Sequence, residues 1–439
     1  MMKTDQSPPE ILSDPESTLP GLLSRKLNYW LSSFEYHLRL DSNSYEEDAY
    51  HRHETLAGCG VEDIFSLESF ESDGIDRLRA FLARHKGDYI MGHISFEGKD
   101  LFEVTRTSVP AYIPAPVITF FVPEYIISLK DDKIDVLKSP VSKEEVIRGI
   151  ERTPDHVFSF SKPGRGYFAI DRHEYMEAVS NLIRHIRIGD IYEVNFCQAF
   201  HIEGLIQDPY ALYERMQEVS APPFGALYRI RDLFLCSASP ERFIAKRGAR
   251  LICQPIKGTN RRLSDPEENK AQQQALHNSP KERSENVMIV DLMRNDLSRI
   301  CHPGTVKVEE LFGIYAFRHV NQMISTVVGE ADFNISFADV MKALFPMGSM
   351  TGAPKIRALE LIDQYEAYQR GLYSGTVGYI DPAGDWDFNV VIRSLVYDRL
   401  SGRASISSGG AITALSDPLQ EYEESLLKME SLRKLLGLL

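Results

Sequence analysis

SASPERFIAKRGARLICQPIKGT, residues 237–259, sets two runs of strand-forming side chains on either side of a central glycine. Arg247-Gly248 is expected to turn a hairpin between strands Glu241–Lys246 and Ala249–Lys257. Pairing about that turn puts Glu241 nearly opposite Gln254, so Glu241 and Lys257 lie toward the same end of the sheet. At roughly 3.3 Å per residue they stand about 10 Å apart along the strand, within reach of one shared ligand. A lysine that follows Cys253, Pro255 and Ile256 is partly desolvated, which lowers its pKa and frees the amine as a nucleophile. The same lysine also fits a strand end from which its ammonium extends to water. The pattern alone leaves both readings open.

Working outward, strands come in blocks separated by helices and are joined by tight turns. That order predicts an α+β fold with large antiparallel sheets flanked by helices. Val117–Val122, boxed in by Pro116 and Pro123, reads as a buried strand. The polar stretch ending in SKPGRG marks the best boundary. It divides the chain into an amino-terminal α/β region (1–140), a linker (141–166) and a carboxy-terminal region (167–439) with most of the chemically suggestive residues, packed as one unit.

The 439 residues are 43% hydrophobic, enough for a large core without disulfides. A formal charge of −14 excludes a general nucleic-acid-binding surface, and an anionic substrate would need a local island of cations. Five scattered cysteines without a CxxC pair fit reduced thiols in a cytoplasm. The start, MMKTDQSPPE, has no apolar core, and no stretch reads as a membrane span. Gly58-Cys59-Gly60 reads as a turn, and His51 with His53, two apart in a polar segment, is set aside as a metal pair.

Two helices carry paired carboxylates. In SPKERSENVMIVDLMRNDLSR, Ser279 is a natural N-cap, Pro280 suits the first helical position and Glu282 completes a capping box. Glu282 and Glu285 share a face, as do Asp291 and Arg294, an ordinary ion pair. In the final helix Asp417 caps and Pro418 opens. Leu419, Tyr422, Leu426, Met429, Leu432 and Leu436 form its buried stripe, and Glu421, Glu424 and Lys428 stand on another face. Together the four glutamates make a hard oxygen site suited to magnesium. Taken singly, each pair is equally a cap or a solvated i,i+4 pair.

Two further segments can hold anions. FPMGSMTGAPKIRALELID leads small residues into a helix near Pro354, where free N–H groups face outward. In DFNVVIRSLVYDRLSGRASISSGGAI, strands Phe388–Tyr397 and Ala404–Ser408 pair through a turn near Ser401-Gly402. That places Arg393 beside the bare backbone of Gly409 and Gly410, a good carboxylate cradle. The alternative is an arginine paired with an acidic neighbour inside the sheet.

Taken together, GDIYEVNFCQ, SPERF, PIKGT, ENVMIVDLMRND, GSMTGAPKIRA with DFNVVIR, and SGGAITALSDP…EYEES resemble the chorismate-utilising enzyme family. The resemblance covers about Gly166 to Gly437, with the motifs in the family's order. It implies the family's α/β sandwich and Mg²⁺ held by Glu285 and Glu424, with Glu282 and Glu421 acting directly or through water. It further implies Lys257 as nucleophile and Glu241 as general acid. Arg393, Tyr373 and the Gly409-Gly410 backbone would hold the enolpyruvyl carboxylate. Lys428 would support the other carboxylate, and Thr259 would orient the ring.

Water-adding members resemble one another in carrying a base lysine where this chain has Glu193, so that branch is excluded. Lys257 in PIKGT and Asn195 in YEVNF instead resemble the branch that makes 4-amino-4-deoxychorismate on the way to p-aminobenzoate and folate. That branch takes ammonia from a glutamine amidotransferase partner. The alternatives are the anthranilate-forming branch and, in a different class, a noncatalytic chorismate-binding subunit. Gln322 stands where many relatives have histidine, and the amino-terminal signature of tryptophan-binding relatives is missing.

Overall fold

The computed structural model describes residues 21–439 apart from 44, 46, 47, 104, 155–163 and 206. Its frame is two large antiparallel sheets packed face to face. One has eleven strands, and its main path runs Gly352–Ala353, Glu193–Glu203, Arg403–Ile412, Ser394–Asp398, Leu233–Ser239, Phe224–Ile230, Tyr36–Asp41, Thr55–Cys59, Tyr125–Lys130, Lys133–Lys138. The other has ten: Ile256–Arg261, Val320–Glu330, Arg250–Gln254, Arg242–Arg247, Trp386–Asn389, Thr376–Ile380, Ile90–Ile94, Ile118–Val122, Asp63–Leu67, with Lys307–Ala316 paired to Val320–Glu330.

Alternation of side chains along each strand builds the layers. Leu235 points between the sheets, with Leu38, Tyr228, Phe121 and Val377. Its neighbours Phe234 and Cys236 point outward, under helices Pro209–Ser220 and Pro418–Leu435. Phe121 faces inward in the same way, while Ile118, Phe120 and Val122 face the helices on the other side. The predicted α+β class and the buried strand at 117–122 are therefore present.

The two expected regions are not separate bodies. Tyr36–Asp41 pairs with Phe224–Ile230, and Ile90–Ile94 pairs with Thr376–Ile380, so both sheets run through both regions. The linker reading of 141–166 is corrected in part. Lys143–Arg152 is a helix whose Val146 and Ile150 pack on Leu27, Leu31 and Val136. Part of that stretch, 155–163, lies outside the described residues.

Four strand readings also change. The hairpin turns at Gly248-Ala249, one residue later than expected, because Arg247 pairs with Arg250 and Gly248 takes a φ of +63°. A bulge then sets Arg242, not Glu241, opposite Gln254. Pro255, which has no N–H to give, ends the second strand; Ile256–Arg261 pairs instead with Val320–Glu330. Finally, 388–397 is not one strand. Trp386–Asn389 lies in the ten-stranded sheet and Ser394–Asp398 in the eleven-stranded one.

The chain thus crosses between sheets at 390–393, and it does so again at 240–241. The crossings run side by side: Val390 N–H donates to the Glu241 carbonyl at 3.0 Å, and the Ser239 hydroxyl to the Val390 carbonyl at 2.6 Å. Arg393, at φ +49°, makes the bend. Glu241 and Arg393 owe their places to this pair of crossings.

Candidate active site

Glu241 sits in its crossing with only 5% of its surface exposed. Burial pushes its carboxyl up to about 7, partly offset by a hydrogen bond from Ser349 and the charge of Lys257. It is a carboxylic acid that keeps its proton near neutrality, the property a general acid needs.

Lys257 lies at an irregularity of its strand, where register slips between Ile256 and Thr259 and Gly258 takes a φ of +91°. The bulge turns the side chain toward Glu193, and Nζ donates to Glu193 Oε1 at 3.0 Å. The expected lowering of its pKa is corrected. Burial does pull the value down, but the charges of Glu193, Glu285 and Glu241 outweigh it and raise the pKa above the ordinary lysine value. In the resting protein Lys257 is an ammonium.

The helices Pro280–Ser298 and Pro418–Leu435 bring up the four glutamates. Both caps form as expected: Ser279 accepts from Glu282 N–H, and Asp417 from Leu419 and Gln420 N–H. The capping box is not closed. Ser279 N–H goes to the Leu276 carbonyl, which leaves the Glu282 side chain to pack over Gly258. Burial raises Glu285 to about 6, with the charge of Glu282 adding to it. Burial also raises Glu421, with the charge of Glu424 adding. Glu424 is half-exposed; partial desolvation pushes its carboxyl up, but Lys428, Lys281 and Lys257 hold it below the ordinary value.

Lys281, which the sequence reading passed over, therefore faces carboxylates of both helices and reaches Glu285 at 4.0 Å. Among the described residues, no three acidic, His or Cys groups have closed to metal-binding range. The donor set nonetheless suits a hard divalent ion, being all carboxylate. Two of its members carry raised pKa values from burial and like charge, a repulsion that a cation between the helices would relieve.

Gly409 and Gly410 lie on Arg403–Ile412, opposite Cys197 and Phe196. A Cβ on Gly409 would stand 2.4 Å from Asn195 Oδ1; one on Gly410 would stand 3.2 Å from Glu421 Oε2. Lys428 binds the Gly409 carbonyl at 2.8 Å and Glu424 at 2.8 Å, which joins the glycine strand to the glutamate helix. The pairing of Leu395 with Ile406 brings Arg393 to the level of this strand's glycine end. Arg393 is walled by protein yet open to solvent, and among the described residues its side chain makes no hydrogen bond or ion pair. Among the described residues it is a cation without a bonded partner, so the alternative of an acidic partner in the sheet does not hold.

Three candidates are placed differently from that cradle. Asn195 is buried, its amide donating to the Ser349 carbonyl at 3.1 Å and accepting from Cys197, so it positions Ser349 and Gly409. Tyr373 is buried near Cys197, Arg370 and Glu366. Thr259 is exposed and lies directly across from Gln322, whose buried Oε1 has no hydrogen-bond partner among the described residues.

Behind them, a buried pair escaped the sequence reading. Arg370 grips Glu366 at 2.6 and 2.9 Å and also donates to the Met350 and Asn195 carbonyls. Its i,i+4 spacing in EAYQR was the available signal. Ser349 offered none, since only the fold brings it to Glu241.

Comparison with known proteins identifies the family. A family model described as chorismate binding enzyme covers residues 41–434. The chain is 40% identical to aminodeoxychorismate synthase component 1 of Klebsiella aerogenes over 260 residues, 59% of this chain and 57% of that protein. It is 39% identical to anthranilate synthase component 1 of Haloferax volcanii over 308 residues, 69% of this chain and 58% of that one. The chain thus spans little more than half the length of these relatives. The crystal structure of anthranilate synthase component I from Streptococcus pneumoniae TIGR4 superposes with a TM-score of 0.75 at 25% identity, covering 86% of this chain and 91% of that chain. With the family model spanning both sheets and every candidate residue, the chain belongs to the chorismate binding enzyme family.

Proposed function

We propose that the protein converts chorismate and ammonia to 4-amino-4-deoxychorismate, as the chorismate-binding component of p-aminobenzoate and folate synthesis. The observation that carries this reading is Lys257, a buried lysine framed by Glu193, Glu241 and Glu285 at the centre of the site. An amine there can bond covalently to the ring, which plain ammonia addition would not require.

The residues divide the work. Arg393 and the Gly409-Gly410 backbone receive one carboxylate of the dianion, and Lys428 and Lys281 face the other. Glu285 and Glu424, aided by Glu282 and Glu421, are the residues that would hold Mg²⁺, which supplies charge neutralisation at the ring carboxylate. The Lys257 amine forms a bond to the ring while the hydroxyl para to the ring carboxylate departs. Glu241, protonated near neutrality, gives that oxygen its proton and releases it as water. Ammonia then displaces the lysine.

A glutamine amidotransferase partner is the proposed source of ammonia, in keeping with relatives named as component 1. The cytoplasm is the proposed setting: all five cysteines are free and buried, and no helix among the described residues is long and apolar enough to cross a membrane. Anthranilate formation is the rival reading, favoured by the Haloferax volcanii relative.

The test is to incubate the protein with chorismate and Mg²⁺ but no ammonia, then map peptides by mass spectrometry. A ring adduct on Lys257, cleared by adding ammonium, is the expected result. Full amination by a Lys257→Ala variant would refute the covalent route.

A further inference from the structure

We propose that Glu193 is a further catalytic residue, the carboxylate that takes the proton of the Lys257 ammonium and returns it when the lysine leaves. This rests on the amination chemistry proposed above.

An ammonium has no lone pair, so Lys257 cannot bond to a ring until something accepts its proton. Four carboxyl groups face it: Glu193 from the strand Glu193–Glu203, Glu241 from the crossing, Glu285 from one helix and Glu424 from the other. Among the described residues only Glu193 is hydrogen-bonded to Nζ, at 3.0 Å. Glu241 already carries the proton meant for the leaving oxygen, and Glu285 and Glu424 are committed to the cation. Glu193 alone is both in contact and unassigned.

Its setting favours the transfer. The two side chains are 8% and 10% exposed. The strand end is pinned by Tyr192 N–H to the Ala353 carbonyl at 2.7 Å and by the pairing of Glu193 with Ala353. A ligand entering the cleft displaces the water that supports two opposite charges. In the drier site, a neutral amine beside a neutral acid costs less than the ion pair. One proton crossing one hydrogen bond accomplishes the change.

The cycle balances. Glu193 takes a proton from Lys257, and the free amine bonds to the ring as the C–O bond breaks and Glu241 protonates the oxygen. Ammonia bonds to the ring and the C–N bond to Lys257 breaks, releasing a neutral lysine amine. Glu193 returns its proton to that amine, and Glu241 takes one from the new ring ammonium. Net, chorismate and ammonia become the aminated ring and water, with both carboxyl groups restored.

The test compares wild type, Glu193→Gln and Glu193→Asp under saturating chorismate, Mg²⁺ and ammonium at about pH 7. Glutamine keeps the shape but accepts no proton, so kcat is expected to fall about 10²–10⁴-fold, with KM for chorismate within about twofold. Aspartate, still a base, is expected to recover at least about tenfold over glutamine. If the carboxylate merely steadies the ammonium, its removal frees the amine, and kcat at that pH stays level or rises; that result overturns the proposal.

A second readout needs no turnover: competitive acylation of Lys257 across pH. The midpoint should move down in Glu193→Gln, and an unchanged midpoint overturns the pairing itself. Wild type that labels as expected but aminates nothing would instead sink the amination reading.

Discussion

Single residues carry the chemistry through their protonation states. In the proposed reaction Glu241, raised from an ordinary 4.5 to about 7 by burial, is the acid, so kcat should decline as pH rises past about 7. Glu241→Gln should lower kcat by about 10²–10⁴-fold and abolish that limb of the pH profile. The same group has a stability signature. Its proton is bound more tightly in the folded chain, so stability falls as pH rises from 4.5 toward 7. Glu241→Gln should therefore melt higher than wild type at pH 8 and show no gain at pH 4, read by calorimetry. Glu241 and Lys257 could both be picked out from SPERF and PIKGT. The sign of the Lys257 shift could not, because local sequence shows the burial but not Glu193, 64 residues away. Whether Arg393 pairs with an acid inside the sheet was not legible from its neighbours in sequence, and the engagement of Asn195, which depends on Ser349 and Cys197, was not either.

Elements decide how these residues meet. Both glutamate helices were readable to their caps, since Ser279-Pro280 and Asp417-Pro418 are local signals. The sheet crossings were not readable: 388–397 has continuous strand character, and only contacts with Ser239 and Glu241 break it at Val390. The adjacent glycines of Arg403–Ile412 separate structural from functional roles. Gly409→Ala drives a Cβ to 2.4 Å from Asn195 and 2.7 Å from Cys197 Sγ inside the sheet. It should lower stability by about 1–3 kcal/mol in denaturant titration. Gly410→Ala meets the Glu421 carboxylate at 3.2 Å instead. It should leave the fold nearly unchanged and weaken Mg²⁺ binding about 10–100-fold by titration calorimetry. Equal Mg²⁺ affinity in the two proteins would remove Glu421 from the cation site.

At the scale of the molecule, the amino-terminal region is part of the frame of the site. Its strands complete both sheets, through Tyr36–Asp41 in one and Ile90–Ile94 in the other. A chain cut to residues 167–439 should therefore fail to fold, exposing one edge of each sheet, as read by circular dichroism and limited proteolysis. A fragment that folds would contradict this shared frame. The α+β class was legible from alternation and turns, whereas sharing of sheets across a polar stretch was not, because strand partners so distant leave no local trace. Acidic overall, the molecule still gathers Lys257, Lys281 and Lys428 around Glu424, the local cations that an anionic ligand requires. The most direct measurement is the product formed from chorismate by the pure protein with Mg²⁺ and ammonium. The account predicts 4-amino-4-deoxychorismate, converted to p-aminobenzoate only when a lyase is added; anthranilate appearing without any lyase would contradict it.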